Sequence, residues 1–169
     1  MEMKLVTIAL GSNQGDREQI ILQAIQYISE RIGHIIHRSP FYENEAQGFE
    51  SDELFLNGCI AIETILEPLH ILQNLKDIET DLGRNKKNDP GYASRPIDLD
   101  IILVDNQVIN LEGLEIPHPR FRDRLFVLKP LGDILPNAVD PTTLQSVKEL
   151  LNHCPDKSVL TIHELKGLR

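Results

Sequence analysis

The order of hydrophobic patterns over residues 4–104 constrains the fold more than any other feature of this chain. Runs of branched apolar residues predict strands, and apolar residues at helical spacing predict amphipathic helices. These segments follow one another as strand, helix, strand, strand, helix and strand, at residues 4–10, 17–32, 34–39, 55–65, 68–82 and 97–104. This order predicts an α+β fold of the ferredoxin-like βαββαβ type, an antiparallel sheet with helices on one face.

The rest of the chain predicts smaller elements. Residues 40–53 form a polar, acidic segment that indicates a loop, and Asp105-Asn106 predicts a hairpin turn into a strand. The remaining predicted elements are strands at residues 108–109 and 159–162 and helices at residues 120–124 and 143–152. Because no repeat, low-complexity tract or linker interrupts the sequence, we predict a single domain over residues 1–169.

The charge balance restricts the partners of this protein. The chain carries 17 basic and 26 acidic residues, a formal net charge of −9. Such a chain does not broadly attract nucleic acid or anionic membranes, so an anionic ligand needs a local basic cluster or a metal. No apolar run is long enough to span a bilayer, no signal peptide is recognisable, and two cysteines make no disulfide framework. We therefore expect a cytoplasmic enzyme or binding domain.

Two acids lie within the last strand of this pattern. Asp98 and Asp100 flank Leu99 in an apolar run, so alternation puts both carboxylates on one face, roughly 6–7 Å apart. Two anions in a buried strand repel each other and lose hydration, which a divalent cation compensates. Mg²⁺ takes one or two protein carboxylates and completes its shell with water and phosphate oxygens. The pair is therefore a candidate metal site, and the alternative is a half-exposed strand with solvated acids.

Two basic clusters are candidates for binding phosphate. Residues 84–95 contain four cations and lead directly into the acidic strand, which predicts a cationic lid; a solvated surface loop is the alternative. His118 and three arginines form the second cluster, and the apolar neighbours of Phe126 favour a core position for that ring. The glycine-containing segment 11–15 fits neither a P-loop nor the G-x-G-x-x-G pattern, so it predicts a structural turn.

Five motifs occur in an order that resembles a known enzyme family. They are Leu10-Gly11-Ser12-Asn13, Phe55-Leu56-Asn57, Leu82-Gly83-Arg84, Arg95-Pro96-Ile97-Asp98-Leu99-Asp100-Ile101 and Ile116-Pro117-His118-Pro119-Arg120-Phe121. Together they resemble 6-hydroxymethyl-7,8-dihydropterin pyrophosphokinases of folate biosynthesis. The resemblance implies a ferredoxin-like domain that transfers pyrophosphate from ATP to the hydroxymethyl oxygen of the reduced pterin and releases AMP. It also implies a monomer, whereas the acidic net charge predicts that the protein binds neither nucleic acid nor membrane.

The resemblance also assigns roles to individual residues. Asp98 and Asp100 would hold two Mg²⁺ ions that bridge the triphosphate and the attacking hydroxyl, and Arg84 and Arg95 would be catalytic phosphate clamps. The implied pterin site consists of Asn44, Glu45, Gln47, Phe55, Asn57 and Phe126. The implied nucleotide site consists of Leu72, Glu79, Arg84, Arg95, Ile101, His118 and Arg124. On this resemblance Phe126 becomes a pterin-stacking residue, which revises the core assignment.

The chain departs from the family pattern at Glu45, Gln47 and Pro119, so a relative with slow turnover is one alternative. A palm-like Mg-dependent nucleotidyl transferase could also carry paired aspartates, and it would release pyrophosphate instead of AMP. A ferredoxin-like RNA-binding module is the third alternative. It needs a basic, aromatic sheet face, whereas this chain is acidic and only 5% aromatic.

Overall fold

The computed structural model describes residues 2–44, 54–83 and 96–166. The first part of the chain forms β1 (Lys4–Ser12), α1 (Arg17–Arg31), β2 (His34–Arg38), β3 (Phe41–Asn44), β4 (Phe55–Thr64), α2 (Pro68–Asp81) and β5 (Asp98–Val104). The second part forms β6 (Ile109–Leu111), β7 (Leu114–Ile116), a 3-10 turn (Phe121–Asp123), α3 (Leu125–Ile134), α4 (Val147–Asn152) and β8 (Thr161–His163).

The main sheet has the strand order β5-β1-β4-β3-β8, and β2 pairs with β4 beside β3. All of these pairs are antiparallel. The predicted second strand, residues 34–39, forms as β2, and β3 begins after a break at Ser39 and Pro40. The Ser39 hydroxyl accepts the Cys59 N–H at 2.9 Å and donates to the Pro40 carbonyl at 2.7 Å, so it satisfies the backbone where the strand breaks.

The two faces of the sheet carry separate apolar clusters. Alternate residues of β1 and β4 pack with α1 and α2 on one face, where Ile8, Leu10 and Leu56 are buried. The opposite face packs with α3 and α4 around Cys59, Phe121 and other apolar residues. Both cysteines are buried and free. The helices of the predicted βαββαβ pattern, α1 and α2, thus share one face, and α3 and α4, which follow that pattern in the sequence, cover the other.

The capping residues set where the helices begin. The Asp16 carboxylate accepts the Gln19 N–H at 3.2 Å at the start of α1, and Ser146 and Glu149 form a capping box at the start of α4. Pro68 occupies the first turn of α2, where no backbone donor is needed. Among the described helices, none has the length and apolar character to cross a bilayer.

Several sequence predictions of local structure are wrong. β1 continues through Gly11 to Ser12, although the glycine was expected to break it, and the predicted loop after Pro40 begins with β3. Asp105-Asn106 does form a turn, but the next strand, β6, pairs with β7 in a separate two-stranded sheet and not with β5. The helix predicted at residues 120–124 is a 3-10 turn, and α3 was not predicted at all.

Candidate active site

Three neighbouring strands align the central residues of the candidate site in one row. Gly11 on β1 is the register partner of Asp98 on β5 and of Asn57 on β4. Directly opposed residues of antiparallel strands face the same side of a sheet, so Asp98 and Asn57 face one side, about 10 Å apart across two strand spacings. Asp100 lies on the same side opposite Ala9. The β1 residues opposite the two carboxylates, Gly11 and Ala9, have no side chain and a single methyl group, respectively.

The carboxylate pair lies on the face of the sheet that α3 covers. Leu99 and Ile101 are 5% exposed and belong to the cluster on the other face. The flanking Asp98 and Asp100 are half-buried and, by alternation, point away from that cluster. The structure thus puts both carboxylates on one face, as the sequence pattern predicts. Their role as metal ligands stays a prediction.

The candidate pterin residues continue this face toward β3. Phe55 lies two positions before Asn57 on β4, and Asn44 on β3 is the register partner of Phe55. The Asn57 side-chain amide donates a hydrogen bond to the Asn44 side-chain oxygen, and both residues are buried. Phe126 lies in the first turn of α3 beside Val127, whose carbonyl accepts a hydrogen bond from the Cys59 thiol at 3.7 Å. α3 therefore brings Phe126 over the same face, partly buried against the second cluster.

Gly11 is required by the position of Asn57. A Cβ atom at Gly11 would lie 2.6 Å from the Asn57 side-chain oxygen, which is closer than real Cβ contacts. The Asn57 amide can therefore extend over β1 only because residue 11 lacks a side chain. Sequence reasoning treated Gly11 as part of a structural turn and missed this. The sequence does contain one indication of this role, because Gly11 lies in the motif Leu10-Gly11-Ser12-Asn13 on which the family resemblance rests.

We expect Gly11→Ala to weaken pterin binding and to lower stability. The methyl group displaces the buried Asn57 amide from its hydrogen bond with Asn44, so the KM for the pterin should rise about tenfold and the free energy of unfolding should fall by about 1–3 kcal/mol. A double-mutant cycle with Asn57→Ala tests the cause. Gly11→Ala should add nothing once Asn57 is truncated, and a full further loss in the double variant would contradict the contact.

His118 lies beside the acidic strand. Its backbone N–H donates to the Ile102 carbonyl on the outer edge of β5 at 3.0 Å. Burial, and then the Arg124 guanidinium, lower the pKa of His118 to about 4, although the Asp98 carboxylate acts in the opposite direction. The Nδ1 atom accepts the Arg120 N–H at 3.1 Å, so the neutral ring carries its proton on Nε2. His118 is thus a neutral donor beside Asp98 and Arg124.

The second basic cluster divides into two parts. Arg124 stays near His118, with its guanidinium carbon 5.6 Å from the centre of the Phe126 ring. Arg122 instead forms a two-pronged ion pair with the buried Asp140, at 2.5 and 2.9 Å. Arg122 is therefore committed to the structure, and only part of the predicted cluster faces the candidate site.

Glu79 binds the backbone of β5 from the side of the sheet that α2 covers, opposite the face of the two carboxylates. This residue of α2 is 6% exposed, and its Oε2 accepts the Leu99 N–H at 2.9 Å. Among the described strands β5 lies at the edge of the sheet, and Glu79 supplies the acceptor for this N–H. The contact fixes the backbone between Asp98 and Asp100. The predicted nucleotide role of Glu79 stays a prediction.

We expect Glu79→Ala to disturb both the edge of β5 and the reaction. The variant leaves the Leu99 N–H without its acceptor, which should lower the free energy of unfolding by about 1–3 kcal/mol and reduce kcat. Glu79→Gln retains an acceptor oxygen and should keep most of both. Urea unfolding and AMP formation measure the two effects. An unchanged unfolding free energy in Glu79→Ala would contradict the role at the edge of β5, and an unchanged kcat would contradict the effect on the reaction.

The remaining candidates divide between described and undescribed residues. Leu72 of α2 and Ile101 of β5 belong to the same apolar cluster, on the face opposite the two carboxylates, and their nucleotide role stays a prediction. Arg84, Arg95, Glu45 and Gln47 lie outside the described residues. Over residues 2–44, 54–83 and 96–166, no group of three or more histidine, cysteine or acidic residues could hold a metal ion. A two-carboxylate Mg²⁺ site remains compatible with this finding, because phosphate and water oxygens complete such a shell.

Comparison with known families decides how this site is interpreted. The profile described as 7,8-dihydro-6-hydroxymethylpterin-pyrophosphokinase matches residues 7–136. The chain belongs to this family. The matched region contains β1 from Thr7 onward, all elements from α1 to α3 and every candidate site residue. The region matched to the pyrophosphokinase family therefore includes Asp98, Gly11 and Asn57, the residues aligned across the three strands.

Curated relatives agree with this membership. A 2-amino-4-hydroxy-6-hydroxymethyldihydropteridine pyrophosphokinase of Porphyromonas gingivalis is 43% identical over 137 residues, which are 79% of this chain and 92% of the relative. The enzyme of the same name from Bacillus subtilis is 40% identical over 128 residues, 75% of each chain. The folic acid synthesis protein fol1 of Pneumocystis carinii is 38% identical over 159 residues, 94% of this chain and 21% of that protein.

Solved structures share the fold of this chain. A crystal structure of HPPK-DHPS in complex with substrates has a TM-score of 0.69 at 17% identity, and a Plasmodium falciparum HPPK-DHPS triple mutant has 0.73 at 16%. Each match covers 90% of this chain and 43% or 44% of the solved chain. The pyrophosphokinase-family chain is thus a mixed α/β domain that spans less than half of those larger proteins.

Proposed function

We propose that this protein transfers pyrophosphate from ATP to the hydroxymethyl group of 6-hydroxymethyl-7,8-dihydropterin and releases AMP, a step of folate biosynthesis. The row Asp98, Gly11 and Asn57 on one sheet face carries the proposal, in a chain of the pyrophosphokinase family. One end of the row has paired carboxylates suited to a metal–phosphate group. The other end has amides and aromatic rings suited to a flat heterocycle.

The pterin end of the site binds and orients the acceptor. Asn57 and Asn44 offer amide groups fixed by their mutual hydrogen bond, which suits the polar edge of a pterin. Phe55 and Phe126 offer rings that can stack on the bicyclic system. Glu45 and Gln47 belong to the same proposed subsite. Orienting the acceptor hydroxyl toward the phosphates supplies most of what such a transfer needs, since the chemistry is dominated by positioning and electrostatics.

The phosphate end of the site receives MgATP. Asp98 and Asp100 would hold two Mg²⁺ ions, whose charge neutralises the phosphate oxygens and makes attack by an alcohol feasible. His118 offers a neutral Nε2–H donor and Arg124 a permanent cation. Arg84 and Arg95 are proposed as phosphate clamps and catalytic residues, and Leu72, Ile101 and Glu79 as the surroundings of the nucleotide.

The proposal includes the finer architecture. The strand order β5-β1-β4, with β2 and β3 both paired to the other side of β4, supports a ferredoxin-like βαββαβ core. The two apolar clusters on the faces of one sheet support a single domain. We further propose that the protein acts as a cytoplasmic monomer on small-molecule substrates, without nucleic acid or membrane. The acidic net charge of −9 supports the last point.

An AMP-release assay tests the function. Purified protein with MgATP should form AMP only when the hydroxymethyl-dihydropterin is added, with one pterin diphosphate per AMP. Free pyrophosphate as the stoichiometric product would instead indicate a nucleotidyl transferase. The matched control is Asn57→Ala, which should raise the KM for the pterin while the KM for ATP stays near the wild-type value. AMP formation independent of the pterin would contradict the proposal.

A further inference from the structure

The segment after residue 136, where the family match ends, supplies a partner to the first turn of α3. The Asp156 carboxylate accepts the Leu125 N–H through Oδ2 at 3.0 Å. Asp156 is half-buried and lies 31 positions beyond Leu125 in the sequence. The contact therefore connects the C-terminal segment to the helix end that carries Arg124 and Phe126.

The start of α3 needs this partner because its own cap provides none. Arg124 occupies the N-cap position without a side-chain hydrogen bond to the helix, and a guanidinium has no acceptor atom. The first backbone N–H groups of a helix have no partner within it, so the Leu125 N–H requires an outside acceptor. A carboxylate at this end also interacts favourably with the helix dipole. Asp156 thus performs the capping that the adjacent sequence lacks.

Asp156 is itself held in one orientation. Its Oδ1 accepts the Ser158 N–H at 2.9 Å and the Ser158 hydroxyl, which leaves Oδ2 directed at Leu125. Cys154, two residues earlier, is buried in the cluster beneath α3 and α4. The carboxylate is therefore fixed by its local turn and by the core, and does not depend on a mobile side chain reaching the helix.

The two residues that flank Leu125 are both in the proposed site. The Arg124 carbonyl accepts the Val127 and Leu128 N–H groups at 3.0 Å each, so its backbone moves with the first turn of α3. Its guanidinium lies over the Phe126 ring. Any shift of this turn displaces the nucleotide candidate and the pterin candidate together.

We propose that Asp156 is a positioning residue for the transfer reaction, acting through the Leu125 N–H to set Arg124 and Phe126. The inference rests on the proposed function, because it assigns Arg124 to the nucleotide and Phe126 to the pterin. A residue that served stability alone would lower the melting temperature without changing the affinity of the folded enzyme for its substrates.

Steady-state kinetics and nucleotide binding on matched variants separate these roles. Asp156→Ala removes the acceptor, whereas Asp156→Asn keeps an oxygen for the Leu125 N–H. Val147→Ala is the control for stability, because Val147 of α4 is fully buried and its side chain lies beside Gly132, in the second half of α3. All proteins are assayed at a temperature at which each is folded. Calorimetric titration with MgCl₂ and a non-hydrolysable ATP analogue measures binding without turnover.

We expect Asp156→Ala to raise both KM values about fivefold and to weaken the binding of the ATP analogue similarly, the size expected for one lost helix cap. Asp156→Asn should recover most of this, and Val147→Ala should lower the melting temperature without changing either KM. Unchanged KM values and analogue binding in Asp156→Ala, or equal increases in Val147→Ala, would overturn the inference alone. A wild-type protein that neither binds the analogue nor forms AMP would overturn the proposed function and this inference with it.

Discussion

Replacing Asp98 or Asp100 with alanine is expected to lower kcat for AMP formation by about 10³-fold or more. Each carboxylate contributes to the charge that would hold Mg²⁺ against the phosphates, and loss of one such preorganised electrostatic contact typically reduces turnover by this order. The two residues lie on one face, half-buried, opposite Gly11 and Ala9. The melting temperature should change little, because neither side chain belongs to the apolar clusters.

Variants that remove only the charge of Asp98 or Asp100 should separate a role in metal binding from a structural role. Asp98→Asn and Asp100→Asn keep the shape of the side chain and remove the charge, so they should resemble the alanine variants in kcat. Asp77→Asn removes an exposed carboxylate on α2 and serves as the control. Calorimetry should show that the acidic-pair variants lose the Mg²⁺ dependence of ATP binding and retain the pterin affinity. Full activity in either alanine variant would remove the proposed metal site.

The predictable part of the fold is the part with strong local periodicity. β1, β4, β5, α1 and α2 all appear close to the predicted residues, since long runs of apolar residues at fixed spacing leave few alternatives. β3 was missed because four residues after a proline inside a polar segment carry no such period, and pairing with β4 and β8 supplies its stability. Tertiary contacts, not local sequence, therefore decide this strand.

α3 was missed for a different reason. Its sequence is apolar at Leu125, Phe126, Val127 and Leu128 in succession and contains Pro130, so no helical stripe stands out and no capping residue marks its start. The acceptor for its first N–H comes from Asp156, far along the chain. A helix stabilised by a distant cap cannot be recognised from a local window.

For the candidate site, alternation along β5 predicts the shared face of the two aspartates from sequence alone. The row that joins them to Asn57 depends on the registers of β1 with β4 and β5, which local patterns do not contain. The division of the basic cluster likewise depends on Asp140, which binds Arg122 from 18 positions away. Composition and spacing thus find the charged groups, and the topology decides which of them face the same ligand.

That ion pair should have the largest effect on stability among the described contacts. Asp140 is fully buried and accepts hydrogen bonds from Arg122, Thr143 and the Thr142 N–H. Removing one partner of a buried pair leaves the other charge uncompensated, so Arg122→Ala should lower the free energy of unfolding by about 3–5 kcal/mol. Urea unfolding measures the loss. Lys129→Ala, which removes an exposed i,i+4 pair with Asp133, is the control and should cost less than about 1 kcal/mol.

The same pair predicts how stability depends on pH. Burial raises the pKa of Asp140, but the hydrogen bonds from Arg122, Thr143 and Thr142 outweigh it and hold the net pKa below its ordinary value. A carboxyl whose folded pKa is depressed stabilises the fold fully above its unfolded pKa, about 4, and loses this contribution as the pH falls through the folded value. Asp140→Asn has no carboxyl group to titrate at this position. Between roughly pH 5 and pH 2, its unfolding free energy should therefore fall less than that of wild type. Parallel pH curves for the two proteins would show that the Arg122–Asp140 pair does not titrate with folding.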